Sequence, residues 1–296
     1  MKVLFLMHFS VFLAGFTGLL GRVIEVDSYS IVFWRMVFAV ACYAIFVYFY
    51  HPLQRLPLRF ILKTMLVGAT LMVHLVFFYL SIKLSNVSIG VITLSCMGFF
   101  TAIIEPIWFK RRISFIELFF SIISIVGIMF IFGFDSRYRL GISVGLFAAV
   151  IAALFCVGTK FVASAPDYLS ALFWQLTGGL VALLLFLPIY LYLYGTKDFL
   201  PSPIDWGYLL FLGSVCTTLL YLLQLYVVTK LSAFTLALTT NLEPIYSIVM
   251  AMIIFNEAKE VNFSFYLGLL FIAISVVLQT LRSYKHELKR KHAVAA

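Results

Sequence analysis

Apolar residues fall in ten long runs, at 3–21, 30–50, 62–82, 87–109, 114–133, 140–162, 168–194, 206–228, 232–254 and 263–281. Each is close to the ~20 residues a helix needs to cross a bilayer. None alternates with a period of two, so the runs predict helices and not barrel strands. The breaks between them are short and carry chain-turning residues: His51-Pro52, Pro57, Ala165-Pro166-Asp167 and Pro201-Ser202-Pro203. Val3 to Leu20, behind Lys2, imitates a secretory signal. No small-residue cleavage site follows it, and the expectation is a retained first helix.

Composition agrees with this pattern. The chain of 296 residues is 64% hydrophobic and 11% charged, with a mean hydropathy of +1.11. A soluble domain is about 25% charged and about half apolar, so this much Phe, Leu and Ile excludes an aqueous fold. The four cysteines, Cys42, Cys96, Cys156 and Cys216, lie inside apolar runs and read as small packing residues. The net charge of +9 sits in short loops and in the tail Lys285 to Lys291, where membrane topology alone would place it. It calls for no nucleic-acid partner, although the tail is suited to anionic headgroups.

Two stretches repeat each other. Ile82-Lys83-Leu84-Ser85 opens a run that closes on Trp108-Phe109-Lys110-Arg111-Arg112. Thr229-Lys230-Leu231-Ser232 opens another, 147 residues on, that closes on Phe255-Asn256-Glu257-Ala258-Lys259. The first run ends in three cations and the second near neutral. Lys/Arg clusters mark the cytoplasmic side, so the two segments are expected to cross in opposite directions. Further matches are Val32-Phe33-Trp34-Arg35 with Leu172-Phe173-Trp174-Gln175, and Arg22 with Lys160. The expectation is an all-α integral membrane protein of ten transmembrane helices in two inverted five-helix repeats. The halves are 1–136 and 137–284, followed by a basic cytoplasmic tail at 285–296.

With the N-terminus inside, fourteen Lys/Arg fall on the cytoplasmic side: Lys2, Arg55, Arg59, Lys63, Lys110, Arg111, Arg112, Lys160, Lys230, Arg282, Lys285, Lys289, Arg290 and Lys291. Six fall outside: Arg22, Lys83, Arg137, Arg139, Lys197 and Lys259. Both termini are therefore expected in the cytoplasm.

Polar groups at membrane depth carry the chemistry, because hydrocarbon tolerates them only beside a partner or a cavity. Glu243 is in the middle of the ninth run, with Thr239, Thr240 and Asn241 before it and Pro244 after it. Proline has no N–H, so the Thr240 carbonyl is expected to lose its helical bond there. Glu105-Pro106 imitates this pair, but an offset of 147 maps Glu243-Pro244 onto Cys96-Met97 instead. Glu105 is one and a half turns before Lys110-Arg111-Arg112, so pairing with those cations and a gating role are both open. Arg35 lies about 8 Å inside the second run. Two roles are open to it: binding an anionic substrate group, or pairing with Glu25 or Asp27. His74 and Tyr79 share the depth of Glu243, and the expectation is that all three reach one cavity. Gln175, Tyr221 and Gln224 are the remaining candidates for a polar lining. A packed, hydrogen-bonded histidine is the ordinary alternative for His74.

No His-Glu-x-x-His, Cys-x-x-Cys, P-loop or Gly-x-Ser-x-Gly is present, so the sequence offers no catalytic residue, metal site or cofactor motif. Without an ATP site, uphill transport implies coupling to an ion, with protons carried through Glu243 as one option and passive facilitation as the other.

Asn241-Leu242-Glu243-Pro244-Ile245 through Phe255-Asn256-Glu257 resembles the second-half "LEP…GE" pattern of the EamA-like branch of the drug/metabolite transporter superfamily. Phe12 to Gly18 resembles that family's first span, with Ala14 in place of the usual Trp. The first half departs from the pattern, with Cys96-Met97 for Glu-Pro and Lys110 opposite Glu257. The resemblance implies an inner-membrane exporter or facilitator of small metabolites such as amino acids, not an enzyme, with a central cavity between the halves. A lipid or lipid-linked-sugar flippase shares the fold, and would open sideways between helices. A membrane-embedded enzyme would need a catalytic set at one interface.

Overall fold

The structure, a computed structural model, describes residues 2–85, 90, 93–94, 96–132, 139–196, 199–243, 245–247, 250, 267–268, 270–278 and 281–282. Pro244, Arg137, Lys197, the stretch Phe255 to Lys259 and the basic tail lie outside them. The described elements are helices: α1 (Lys2–Val23), α2 (Ser28–Tyr50), α3 (Leu58–Leu84), α4 (Met97–Trp108), α5 (Phe115–Phe132), α6 (Arg139–Val162), α7 (Tyr168–Tyr194), α8 (Pro203–Lys230) and α9 (Ala233–Thr240). Residues 270–278 are also helical. Six of these, α1, α2, α3, α6, α7 and α8, are long and apolar enough to cross a membrane.

Polar residues set the helix starts. Asp27 opens α2 by accepting the N–H groups of Tyr29 and Ser30 at 2.7 and 3.1 Å. Asp167 opens α7 through Ser170 N–H, and Ser232 opens α9 through Thr235 N–H. Ser202 and Asp205 form a reciprocal capping box on α8, with Pro203 in its first turn. Each satisfies an N–H that a helix start leaves without an internal partner. α4 ends at Trp108, and Lys110 two residues on has a φ of 52°, the left-handed turn that closes many helices.

Small residues determine how the helices meet. α3 lies between α6 and α7, in contact with both along its length. Gly68 of α3 faces Gln175 of α7 so closely that a Cβ would sit 1.7 Å from the Gln175 carbonyl oxygen. Gly178 does the same against Met65, and Gly158 of α6 against Val67. α6 adds a stripe of fully buried alanines, Ala148, Ala149, Ala152 and Ala153. In lipid there is no hydrophobic force to join helices, and close backbone approach at small residues supplies dispersion contact instead. Tyr29, Tyr43, Ser30 and Trp34 of α2 then donate to carbonyls of Leu183, Leu169 and Phe199, joining α2 to α7 and to the start of α8. Large apolar side chains such as Phe115 and Tyr192 remain exposed, as a lipid-facing surface requires.

Candidate functional site

Two irregular turns lie beside each other, one at the start of α4 and one at the end of α9. α4 begins at Met97 only after a turn at Cys96, whose N–H bonds Thr93 O at 3.1 Å. α9 stops at Thr240, where Asn241 N–H bonds Leu238 O at 3.1 Å and Leu242 N–H bonds Thr239 O at 3.0 Å. These tighter i→i−3 bonds interrupt the α-helical ladder just before Glu243. The helix resumes around it, with Tyr246 N–H bonding Leu242 O at 3.1 Å. The ninth apolar run is therefore not one uniform helix. α4 and α9 pack antiparallel: Gly98 faces Leu238 and Asn241, while Glu105 accepts the N–H groups of Ala233 and Phe234 at 3.3 and 2.8 Å. Glu105 is buried and caps α9: its partners are backbone donors, not Lys110, Arg111 or Arg112.

The interruptions open onto a cavity of about 80 Å³. Glu243 and Thr240 line one side, His74 and Phe78 of α3 another, and Tyr221 and Gln224 of α8 a third. Arg35 of α2 completes the polar set, with Thr17, Met97 and Cys156 between these and Leu75, Leu94 and Phe155 as apolar wall. Glu243 is 7% exposed. His74 is 8% exposed, and its Nδ1 is buried without a partner.

Arg35 is 2% exposed and is held by an opened helical turn. Residues Ser214–Leu219 of α8 form a π-turn, in which Thr217 Oγ1 donates to Leu212 O and Thr218 Oγ1 to Gly213 O. This widening frees the Cys216 carbonyl, which accepts Arg35 Nη2 at 3.0 Å, while Thr217 Oγ1 accepts Arg35 Nε at 2.6 Å. Arg35 therefore pairs with neither Glu25 nor Asp27; Asp27 is occupied by the start of α2 and by the Tyr190 hydroxyl. The third donor group, Nη1, is buried and without a partner. Arg35 is within electrostatic reach of His74, Tyr79, Tyr221 and Glu243. A cation and a carboxyl thus share one water-poor site, where their interaction is screened little.

The other expected site residues are placed differently. Tyr79 does not line the cavity; its ring fills the space left by Gly21, and its hydroxyl lies beside Arg35 without a bond of good geometry. Asn241 turns away and donates to Ser124 Oγ of α5 at 2.6 Å. Gln175 is buried between α6 and α7 and donates to Thr159 Oγ1 at 3.1 Å. Sequence reasoning missed Thr17 and Cys156, and treated the latter as packing. It also passed over Ser214, Thr217 and Thr218, hydroxyls clustered inside an apolar run that are the visible sign of the π-turn.

The sequence profile of the EamA-like transporter family matches residues 1–133 and 139–281, two successive segments that span almost the whole chain. The chain belongs to the EamA-like transporter family. Like that family's members it is a multi-pass membrane transporter with a two-repeat architecture, built for a small-molecule substrate. No curated protein matches the sequence. The fold is similar to a crystal structure of a protein with a TM-score of 0.75 at 13% identity, over 95% of this chain and 98% of that one.

Proposed function

We propose that this EamA-like transporter exports a small zwitterionic metabolite of the amino-acid class across the inner membrane. In this reading ten spans form two inverted five-span halves, at 1–136 and 137–284, with both termini cytoplasmic. The cargo carboxylate takes the unpaired donor of Arg35 and the cargo ammonium takes Glu243. His74, Thr240, Tyr221 and Gln224 supply hydrogen bonds, and Leu75, Phe78 and Phe155 receive an apolar side chain. Tyr79 supports Arg35 from behind. Asn241 and Gln175 act in the packing of the walls and not on the cargo.

The observation that carries the reading is that Arg35 and Glu243, a buried cation and a buried carboxyl, border the same cavity without a mutual ion pair. Burying unlike charges apart is costly unless something bridges them. A zwitterion does so with one group at each end. The antiparallel packing of α4 and α9 supports the inversion, and the irregular turns beside it are where such transporters place their cargo. The fourteen-to-six division of Lys/Arg supports the orientation.

A sensitivity screen tests the reading. Cells with and without the protein are challenged with toxic amino-acid analogues, dipeptides and uncharged antimetabolites. Resistance confined to zwitterionic compounds is expected. Resistance to uncharged compounds only, or to none, contradicts it.

A further inference from the structure

A second hollow lies away from the central cavity and shares no lining residue with it. It is a lateral groove of about 520 Å³ between α3, the end of α4 and the end of α6. Its wall is apolar: Leu66, Leu154, Gly158 and Phe161 line it, and Trp108 lies along one side. Leu66 is 67% exposed and Trp108 is 51% exposed, so the groove opens towards the surrounding bilayer.

Charge marks one end of this groove. The Lys63 side chain lines it and is exposed. Trp108, which also lines the groove, ends α4, and the exposed Lys110, Arg111 and Arg112 follow it through the left-handed turn at Lys110. Arg111 lies over the Phe109 ring at 5.6 Å. An amphipathic aromatic beside a cluster of cations is the arrangement expected at headgroup level, and basic recesses between spanning helices suit anionic headgroups.

We propose that this groove is a binding site for one anionic phospholipid, with an acyl chain along Leu66, Leu154 and Phe161 and its phosphate on Lys63. The apolar length and the single cation within the wall select a lipid and not a free anion. The three cations beyond Trp108 attract the same charge. The site is independent of the cargo path, because its lining and that of the central cavity are disjoint.

The test uses the purified full chain and native mass spectrometry, with phosphatidylglycerol and phosphatidylcholine of matched acyl chains as probes. Phosphatidylglycerol is expected to be retained more tightly. Lys63→Gln is expected to weaken it about fivefold, the effect of one basic residue at an anionic surface, and to leave phosphatidylcholine unchanged. Leu154→Trp, which fills the groove, is expected to lower retention of both. As a second readout, phosphatidylglycerol with brominated acyl chains is expected to quench a component of tryptophan fluorescence that disappears in Trp108→Phe. Equal retention of the two lipids, no effect of Lys63→Gln, displacement of the lipid by inorganic phosphate, or quenching that survives Trp108→Phe would each overturn the proposal. Lys63 is exposed and its substitution leaves the core intact, so the comparison holds even if Leu154→Trp does not fold.

Discussion

The carboxylate of Glu105 accepts the backbone N–H of Phe234 at 2.8 Å, joining α4 of the first half to the start of α9 in the second. Two N–H groups that α9 cannot satisfy internally are thereby paired in a buried place. Glu105→Ala is expected to lower stability by about 1–3 kcal/mol, the cost of leaving such donors unpaired. Glu105→Gln, which keeps an acceptor, should lose less. Thermal unfolding in detergent measures both. A gating residue would behave in the opposite way, losing transport in Glu105→Gln with no change in unfolding temperature.

The contact of α3 with α7 depends on Gly68. An alanine there would place its Cβ 1.7 Å from Gln175 O, so the helices must separate. Gly68→Ala is expected to cost at least the ~1–3 kcal/mol typical of overpacking, seen as reduced folded yield and a lower unfolding temperature. Gly207→Ala in the first turns of α8 is the control, with nothing within 4 Å of the added methyl, and should be neutral or slightly stabilising.

On the side of His51 and Asp167, pH acts through one carboxylate. Burial alone would raise the Asp167 pKa, but hydrogen bonds from Ser170 and His51 outweigh it and hold it below the ordinary value of 3.8. A lowered folded value means the carboxylate stabilises the fold above its unfolded pKa, and that contribution is lost as pH falls through the lower folded value. Asp167→Asn should therefore differ from the native chain at neutral pH and converge with it below about pH 4. Unfolding temperature against pH measures this, and a difference that grows on acidification would contradict it.

Much of this arrangement is legible along the chain, and what is not has a physical cause. Runs of about 20 apolar residues give α1, α2, α3, α6, α7 and α8 nearly to their ends, because the bilayer imposes one length on every span. Glu243 and His74 stand out because a polar group at that depth needs a reason. The partners of Arg35 do not, since the Cys216 carbonyl becomes available only when α8 opens into a π-turn, and that depends on how Thr217 and Thr218 turn their hydroxyls. Asp27 was the nearer candidate in sequence, yet the start of α2 takes it. Asn241 adjoins the functional stretch but turns to Ser124, because its position on the interrupted helix faces α5. Glu105 shows the same limit, with partners 128 and 129 residues away.

Glu243 is also the group through which export would exchange for protons. Reconstituted vesicles carrying a pH-sensitive dye are expected to report proton movement when cargo is added, and an imposed pH gradient is expected to drive accumulation. Both responses should vanish in Glu243→Gln. No proton movement on adding cargo, and no accumulation under the imposed gradient, would leave facilitated diffusion as the mechanism.

The central claim is that Arg35 and Glu243 hold the two charged ends of one cargo, and counterflow of a labelled mixture of the neutral amino acids into proteoliposomes tests it most directly. The native chain is expected to exchange label, whereas Glu243→Gln and Arg35→Lys should each lower the initial rate about tenfold or more, in line with ~1.5–3 kcal/mol for a hydrogen bond to a charged group. Lysine keeps the charge but cannot serve Thr217, Cys216 and the cargo at once. No exchange by the native chain, or native rates in both variants at equal reconstituted amounts, would contradict the account.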